Sequence, residues 1–327
     1  MYVAGIDGGG SKTKAVVADE SGRVLGKGYA GCGNHQMIGA AAAVDNMRRA
    51  LDQALSQAGI GRELLAFIQY GLAGADRKLD MERLYPEIAK QVPAAQWDVV
   101  CDTLAGLRCG SPDNTGIVLV CGSNTNAAGR DREGRTVQVG GYNELYGDKA
   151  GGYYLSAQAF GRAIRSWDGR EPDSILTEMI PHALGYRDME EMINRTLDDE
   201  ITEAPLSISI VVHEASAAGD WLSTELLADM GRELGLAATA VYRKLDAFGG
   251  DRVPIVLTGS ILQSGRSPAL LEALFDVAAS SMPGCLLITP DLAPVFGSVM
   301  LAMDRLGIDV TESMIDKFAQ SGGNRYE

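Results

Sequence analysis

The segment GIDGGGSKTKAVVAD, residues 5–19, decides the fold that this sequence predicts. Asp7 ends a short apolar run here, three glycines follow it, and a second apolar run begins at Ala15. Glycines tolerate positive φ and let backbone N–H groups approach phosphate oxygens, while Ser11 and Lys12 add donors and one positive charge. The segment therefore predicts two strands joined by a phosphate-binding turn.

Two common phosphate-binding motifs do not fit this turn. A Walker A loop requires Gly-Lys together and a helix afterwards, whereas Ser11 separates Gly10 from Lys12 and a strand follows. The glycine spacing of the dinucleotide-binding motif is absent as well. An ordinary glycine-rich hairpin turn remains the alternative. Asp7 favours a binding site, because a carboxylate at the end of an apolar strand is costly unless it meets a cation or hydrogen-bond donors.

The rest of the chain predicts alternating strands and helices, with a repeat of the opening pattern. The strand Ile117–Val120 and the polar turn 122–125 restate the first hairpin, which indicates an internal duplication. Around this repeat we predict these elements: a three-strand meander over 2–30, helix 40–58, strand 66–71, loop 72–76, helix 79–90, strand 98–101, mostly helix over 153–245, strand 253–257, turn 258–260, helix 268–279, a last helix 293–306 and a frayed tail 320–327.

The composition of the chain excludes several classes of function. A chain of 327 residues with 46% hydrophobic residues predicts two lobes, and a net charge of −14 argues against a nucleic-acid or anionic membrane partner. The N-terminus has no signal-peptide pattern and no apolar run is long enough for a membrane span, so we expect a cytoplasmic protein. Five cysteines without a CxxC spacing argue against a disulfide framework or a zinc site: Cys32, Cys101, Cys109, Cys121 and Cys285.

Asp102 is the residue that we expect to carry catalysis. It follows Val99-Val100-Cys101 and so stands at the carboxyl end of a strand, where open α/β sheets place their ligands. A carboxylate there can accept the proton of an attacking hydroxyl. The alternative is a helix N-cap for residues 103–108, and both roles can hold at once.

Several motifs together resemble one superfamily. The opening segment resembles the first phosphate motif shared by actin, hexokinases and heat-shock chaperone ATPases, and specifically the N-acetylglucosamine kinase branch grouped with the BadF/BadG/BcrA/BcrD ATPases. Further motifs follow in the family's order: GCGNHQ at 31–36, GLAGAD at 71–76, VVCDTLAG at 99–106, VLVCGSNTN at 118–126, GGYNELYGDKAGG at 140–152 and TGS at 258–260. The resemblance implies a two-lobed actin-like (ribonuclease H-like) α/β fold with duplicated mixed sheets and a central nucleotide cleft. It places the lobes at 1–115 and 116–327, with helix 293–306 packing back on the first lobe.

The resemblance also implies ATP and Mg²⁺ as cofactors. It implies that the turns 8–12 and 122–125 hold the phosphates from opposite sides of the cleft and that Asp7 holds Mg²⁺ through water. It also implies that the 258–260 turn approaches the adenosine. The implied cofactor-binding residues are Asp7, Gly8, Gly9, Gly10, Ser11, Lys12, Thr13, Gly122, Ser123, Asn124, Thr125, Gly259 and Ser260.

The implied activity is phosphoryl transfer from ATP to a hydroxyl of an amino sugar, with N-acetylglucosamine as substrate and a homodimer as the assembly. The implied substrate-binding residues are Asn34, His35, Ala73, Gly74, Asp102, Ser123, Gly141, Tyr142, Asn143, Glu144 and Asp148. For His35 a satisfied structural histidine is the alternative. His182 and His213 have no partner pattern in the sequence, and we assign them no role.

Departures from the family's pattern leave other functions open. The second phosphate turn lacks its usual third-position glycine, and Tyr142 stands where a Trp is usual. Lys149 replaces an acid, which either favours a carboxylate-bearing sugar such as a muramic-acid derivative or reflects a lysine in solvent. An ATP-hydrolysing activator with a cysteine-bound iron–sulfur cluster is the main rival, although no cysteine pair follows the second phosphate turn. A nucleotide-binding regulator is a third reading, without a DNA-binding extension to support it.

Overall fold

The computed structural model describes residues 1–93, 96–245, 248 and 252–323. Its contacts divide the chain into two compact units. The first comprises Met1–Gly116, Gly129–Gly134 and Pro290–Glu327, and the second comprises Ile117–Ala128 and Arg135–Thr289. The chain after residue 290 therefore belongs with the first unit.

The sheet of the first unit has the strand order β3-β2-β1-β4-β5. Its strands are β1 (Tyr2–Gly8), β2 (Thr13–Asp19), β3 (Val24–Ala30), β4 (Leu65–Leu72) and β5 (Gln96–Cys101). Strands β1 to β3 form the predicted antiparallel meander, whereas β4 runs parallel to β1 and β5 parallel to β4. Gly8 is in register with Leu72, and Leu72 with Cys101, so three strands end together at one edge of the sheet.

Helices cover both faces of this sheet. Four of them precede the second unit in the chain: α1 (His35–Ile38), α2 (Ala40–Ala58), α3 (Lys78–Gln91) and α4 (Asp102–Gly110). Two follow it, α11 (Pro294–Arg305) and α12 (Glu312–Phe318). Residues Arg62–Leu64 form a 3-10 turn. On one face α2 buries Met47 and Leu51 in a core with β1 and β4. On the other, Phe296 of α11 and Phe318 of α12 pack with Val3.

The second sheet has the order β10-β9-β6-β7-β8. Its strands are β6 (Gly116–Cys121), β7 (Thr125–Arg130), β8 (Thr136–Val139), β9 (Pro254–Thr258) and β10 (Leu286–Ile288). Strands β6, β9 and β10 are parallel, with Val120 in register with Thr258. The turns that follow β6 and β9 therefore lie at the same edge of the sheet.

The helices of the second unit fill the region predicted to be helical. They are α5 (Gly152–Trp167), α6 (Leu176–Ala183), α7 (Met189–Asp198), α8 (Ile208–Ala217), α9 (Trp221–Leu245) and α10 (Pro268–Ser281), with a 3-10 turn at Glu144–Tyr146 and a π-helical turn at Ile261–Gly265. Met189 and Met192 are buried in the core of this unit. No helix in the described ranges combines the length and the hydrophobicity needed to cross a membrane.

The sequence patterns missed four short helices and strands, α1, β8, β10 and α12. They have 4, 4, 3 and 7 residues, so none is long enough to show a reliable period. The helix predicted to be the last is therefore followed by another. Of the predicted frayed tail, Ala319–Gly323 forms a π-helical turn, and residues 324–327 lie outside the described ranges.

Candidate active site

The predicted site residues fall into two groups, one in each unit. In the first unit, the turn between β1 and β2 is closed by the Gly9 amide, which donates to the Lys12 carbonyl at 3.0 Å. Ser11 and Lys12 at its tip are exposed. Thr13, predicted to bind the cofactor, is fully buried, and its hydroxyl donates to the Gly31 carbonyl at 2.8 Å. Thr13 therefore holds the turn in shape from the inside.

Asp7 lies in β1, next to the end of the strand, among charged groups of both signs. Burial raises the pKa of the Asp7 carboxyl to about 7, and the charge of Asp102 adds to the rise, while Lys14 and Lys12 oppose it. A desolvated carboxylate with a raised pKa is stabilised in its charged form by a bound cation. No group of three or more His, Cys, Asp or Glu side chains in the described part of the chain is arranged to hold a metal alone. The residues therefore fit Mg²⁺ that keeps water and phosphate oxygens as its other ligands.

Asp102 is the first residue of α4, which begins directly after β5. The Cys101 thiol lies 2.9 Å from Asp76 Oδ1 and 3.3 Å from Asp102 Oδ1. Burial raises the pKa of Asp102, and the charge of Asp76 adds to the rise, while contacts with Cys101 and the Thr103 amide oppose it. A carboxylate with a raised pKa at a strand end is suited to accepting a proton near neutral pH. Asp102 begins the helix rather than capping it, because Cys101 occupies the N-cap.

Three predicted sugar-binding residues lie beside this edge. The Ala73 amide donates to the Gly8 carbonyl at 2.9 Å, which ties the loop after β4 to the end of β1. The Asn34 side chain accepts from the Gln36 amide at 2.8 Å, and Gln36 Nε2 donates to the Gly74 carbonyl at 2.9 Å. These bonds bring Asn34, Ala73 and Gly74 together at the end of β1.

One ring nitrogen of His35 contacts a carboxylate inside the protein. Its Nε2 lies 3.1 Å from Asp80 Oδ1, and both side chains are buried. Asp80 is also desolvated, which opposes ionisation, but hydrogen bonds from Arg77 and His35 prevail and hold the pKa of its carboxyl below the ordinary range. This contact fits a structural histidine, but Nδ1 of the same ring is buried without a hydrogen-bond partner in the described residues. Substrate binding by His35 therefore stays a prediction.

In the second unit, the 122–125 turn is held by the start of α5. The Gly122 amide donates to the Asn124 carbonyl at 2.9 Å, which closes the turn. The Gly152 amide donates to the Gly122 carbonyl at 2.8 Å, and the Tyr153 amide to the Ser123 carbonyl at 3.0 Å. Ser123 and Asn124 are exposed, whereas Thr125 Oγ1 donates back to the Val120 carbonyl at 3.1 Å. The backbone of the turn is thus held in place, while the Ser123 and Asn124 residues at its tip are exposed.

Asp148 organises the loop that was predicted to bind the sugar. Its Oδ2 accepts from the amides of Gly141 at 3.1 Å, Tyr142 at 2.7 Å and Asn143 at 2.7 Å. These bonds use the carboxylate that we expected to bind sugar hydroxyls. Asp148 therefore shapes the loop, while Tyr142, Asn143 and Glu144 are exposed on it.

A polar cavity of about 440 Å³ adjoins this loop. Asn143, Glu144 and Asp148 line it together with Asn124 of the phosphate turn. Amide and carboxylate side chains of this kind pair with hydroxyl and acetamido groups. The cavity therefore unites predicted substrate-binding residues with the second phosphate turn.

The 258–260 turn closes onto the 122–125 turn through a glycine. Gly259 has φ +92°, and a Cβ there would meet the backbone of Cys121, with its N at 2.8 Å. Gly122, Ser123 and Ser260 line one cavity of about 650 Å³, whose other wall is α8. A cavity of this size can hold a nucleoside. The predicted adenosine turn and the predicted phosphate turn therefore share one cavity.

Sequence reasoning missed Asp76, Lys14 and the α8 wall. Asp76 comes shortly after β4, as Asp102 comes after β5, and the ends of neighbouring parallel strands meet at one edge of a sheet. The sequence could therefore have predicted Asp76 as a site residue. Lys14 lies in β2 opposite Asp7, and the hairpin register pairs them. No sequence pattern identified α8 as part of a site, because its apolar residues are spaced as in any packed helix.

The sequence pattern of the BadF/BadG/BcrA/BcrD ATPase family matches residues 4–302. Two relatives are also similar over most of their length. One, an N-acetylmuramic acid/N-acetylglucosamine kinase from Clostridium acetobutylicum, is 29% identical over 80% of this chain and 86% of its own. The other, an N-acetyl-D-glucosamine kinase from Dictyostelium discoideum, is 24% identical over 92% of this chain and 97% of its own.

Solved structures share the fold. A candidate N-acetylglucosamine kinase from Chromobacterium violaceum matches with a TM-score of 0.68 and 24% identity, covering 92% of this chain and 98% of its own. A ROK family glucokinase from Streptomyces griseus, in complex with glucose and AMPPNP, matches with a TM-score of 0.60 and 16% identity, covering 93% and 100%. These likenesses confirm the predicted α/β sugar-kinase fold.

Proposed function

Because this chain belongs to the BadF/BadG/BcrA/BcrD ATPase family, we propose that it is an ATP-dependent amino-sugar kinase acting on N-acetylglucosamine, with N-acetylglucosamine 6-phosphate as product. The observation that carries the proposal is the pair Asp7 and Asp102, two desolvated carboxylates at one sheet edge whose charges interact. Phosphoryl transfer to a hydroxyl needs one carboxylate for the metal and one for the proton. The two curated relatives named above, both amino-sugar kinases, support the choice of substrate.

In the proposed reaction a sugar hydroxyl oxygen bonds to the γ-phosphorus, the bond from that phosphorus to the β–γ bridging oxygen breaks, and ADP leaves. The hydroxyl proton passes to the carboxylate of Asp102. Asp7 would hold Mg²⁺ through water, and the metal would neutralise phosphate charge when bound. The backbone amides of the 8–12 and 122–125 turns would orient the phosphates.

Substrate binding is proposed for residues of both units. In the first, Asn34, Ala73 and Gly74 lie beside the edge that carries Asp102. In the second, Asn143 and Glu144 line the polar cavity. Asp148 would act by holding the 141–143 loop, because its carboxylate already accepts three amides.

The test is a panel of amino sugars assayed for ATP consumption and for a phosphorylated product. We expect N-acetylglucosamine to be turned over and ATP hydrolysis without sugar to be slow. Fast sugar-independent hydrolysis would favour the activator, and an absorbance spectrum of anaerobically purified protein would then reveal an iron–sulfur cluster.

The panel includes N-acetylmuramic acid, because the Clostridium relative is named for both sugars. Lys149 is exposed and lines a cavity next to Asp148. If Lys149 binds the lactyl carboxylate, Lys149→Ala should lose turnover of N-acetylmuramic acid and keep that of N-acetylglucosamine.

Asp102→Asn tests the catalytic assignment. The amide keeps the shape of the side chain but cannot take the proton, so we expect turnover to fall by about 10²–10⁴. Sugar affinity measured by calorimetry should change little. A variant with normal sugar affinity and turnover within about threefold of the parent would exclude Asp102 as the base.

A further inference from the structure

Cys101 lies between the proposed catalytic base and a second carboxylate. It is the last residue of β5 and is only 8% exposed. Its Sγ is 2.9 Å from Asp76 Oδ1 and 3.3 Å from Asp102 Oδ1. A thiol carries one proton, so a single S–H group bridges two acidic side chains.

The fold brings these three residues together. Leu72 at the end of β4 is in register with Cys101 at the end of β5. The chain then turns back, since Gly74 has φ +78°, a conformation that glycine adopts readily. This turn brings Asp76 to the Cys101 thiol, while α4 begins directly with Asp102.

The thiol does not cap the helix that follows it. Cys101 is the N-cap residue of α4, a position whose side chain often accepts from helix amides, yet no such bond forms within the described residues. Burial raises the pKa of the Cys101 thiol well above its ordinary value, and the charges of Asp102 and Asp76 add to the rise. The group therefore keeps its proton and is a hydrogen-bond donor rather than a reactive thiolate.

A donor at this place affects how the base is oriented. Two carboxylates that contact the same thiol repel each other when both are ionised. The bridging S–H offsets part of that repulsion and limits the rotation of the Asp102 carboxylate. Orientation matters because a general base must lie within hydrogen-bond reach of the proton that it takes, and a displacement of about 1 Å can cost about 10²-fold in rate.

We propose that Cys101 is a positioning residue, whose thiol holds the Asp102 carboxylate in the orientation that accepts the proton of the sugar hydroxyl. The inference rests on the proposed kinase function and on the role proposed there for Asp102. Cys101 would act through Asp102 alone and would touch no substrate. No sequence pattern assigned Cys101 a role in the reaction.

The experiment measures the single-turnover rate of N-acetylglucosamine phosphorylation, with the protein in excess over ATP. Cys101→Ala removes the donor, so we expect the rate to fall about three- to tenfold, the worth of one hydrogen bond. Cys101→Ser keeps one donor at nearly the same place and should recover the rate to within about twofold of the parent. Sugar and ADP affinities measured by calorimetry should stay within about twofold in both variants, because no ligand contact is lost.

Cys109→Ala is the matched control. Cys109 is a second cysteine on α4, and its thiol donates to the Ala293 carbonyl at 3.5 Å. Its replacement removes a thiol from the same helix without removing the bridge, so the rate should stay within about twofold of the parent.

A double variant separates positioning from a loss of packing. If Cys101 acts through Asp102, Cys101→Ala should change the rate of the Asp102→Asn protein by less than about twofold. A packing defect would lower the rate by the same factor in both backgrounds and would overturn the inference. If Cys101→Ala does not fold, Cys101→Val replaces it, because valine fills the space of the thiol without a donor.

The outcomes separate the inference from the kinase proposal. A Cys101→Ala protein that keeps the rate of the parent within about twofold overturns the inference and leaves the kinase proposal standing. A Ser variant as slow as the Ala variant does the same, because restoring the donor would then have no effect. An Asp102→Asn variant as fast as the parent overturns the inference together with the role of Asp102 as base. A parent that does not phosphorylate the sugar overturns both proposals.

Discussion

Asp7→Asn should make the nucleotide-free protein more stable at alkaline pH while it abolishes turnover. The structure gives the reason, because burial and the charge of Asp102 hold the pKa of the Asp7 carboxyl at about 7. Above that pH the native protein must keep a desolvated negative charge next to Asp102, which Lys14 and Lys12 offset only in part. The Asn amide has nearly the same shape and carries no charge, so the variant should avoid this cost and lose the proposed Mg²⁺ anchor.

The sign and size follow from proton linkage. The unfolded chain releases the Asp7 proton near 3.8, and the native protein keeps it up to about 7. Between these values the native state binds more protons, so the free energy of unfolding of the parent falls as pH rises. At about 1.4 kcal/mol per pH unit the total is about 4 kcal/mol, complete above pH 7. The stability advantage of Asp7→Asn should therefore be small at pH 4 and about 4 kcal/mol larger at pH 8.

The assay is urea unfolding at both pH values, with a chelator and no nucleotide. Trp97 lies in the first unit, so its fluorescence reports on that unit once Trp167 and Trp221 are replaced by Phe. Asp19→Asn is the matched control. Although partial burial of Asp19 would raise the pKa of its carboxyl, hydrogen bonds from Ser21 and Arg23 outweigh this and hold it low.

Asp19 therefore contributes stability above pH 3.8 that is lost as pH falls through its native pKa. Both pH 4 and pH 8 lie above 3.8, so Asp19→Asn should lose stability relative to the parent at both pH values, with little change between them. An Asp7→Asn advantage that grows by less than about 1 kcal/mol between the two pH values would refute the reasoning.

Three further predictions concern other parts of the site. Asp76→Asn removes a charge that raises the pKa of Asp102, so the acidic limb of the kcat/KM profile should move to lower pH; an unmoved limb would contradict this. Gly9→Val should weaken ATP binding at least about tenfold and lower Tm less than Gly259→Val, because a Cβ at Gly9 makes one close contact in the described residues beyond its chain neighbours, with the Lys12 carbonyl oxygen at 3.3 Å, whereas Gly259 has φ +92° and would meet the Cys121 backbone. Asp148→Ala frees three amides and should raise the KM for sugar more than the KM for ATP.

The sequence predicted the framework of the site because strand ends can be read from short apolar runs. Asp7 and Asp102 each stand beside such an end, and parallel pairing through β4 brings the two ends to one edge. The glycine-rich first turn could be predicted as well, because three glycines in succession occur in few kinds of structure. The order of these elements was therefore enough to locate both proposed catalytic carboxylates.

The contacts of Thr13, His35 and Asp148 could not be predicted from the sequence. Each is polar and lies in a motif, yet each makes at least one hydrogen bond inside the protein. Which donor meets which acceptor is decided by tertiary packing, and a pattern of residue types does not contain that information.

The return of residues 290–323 to the first unit has a consequence for biosynthesis. Phe296 and Phe318 pack on Val3 and Phe67 of the first sheet, yet the ribosome adds them only after the whole second unit. At about 5–20 residues per second, the nascent sheet waits on the order of ten seconds or more with that face uncovered. The first sheet to be synthesised is thus completed only when the last helices are made, and until then one of its apolar faces is open to contact with other proteins.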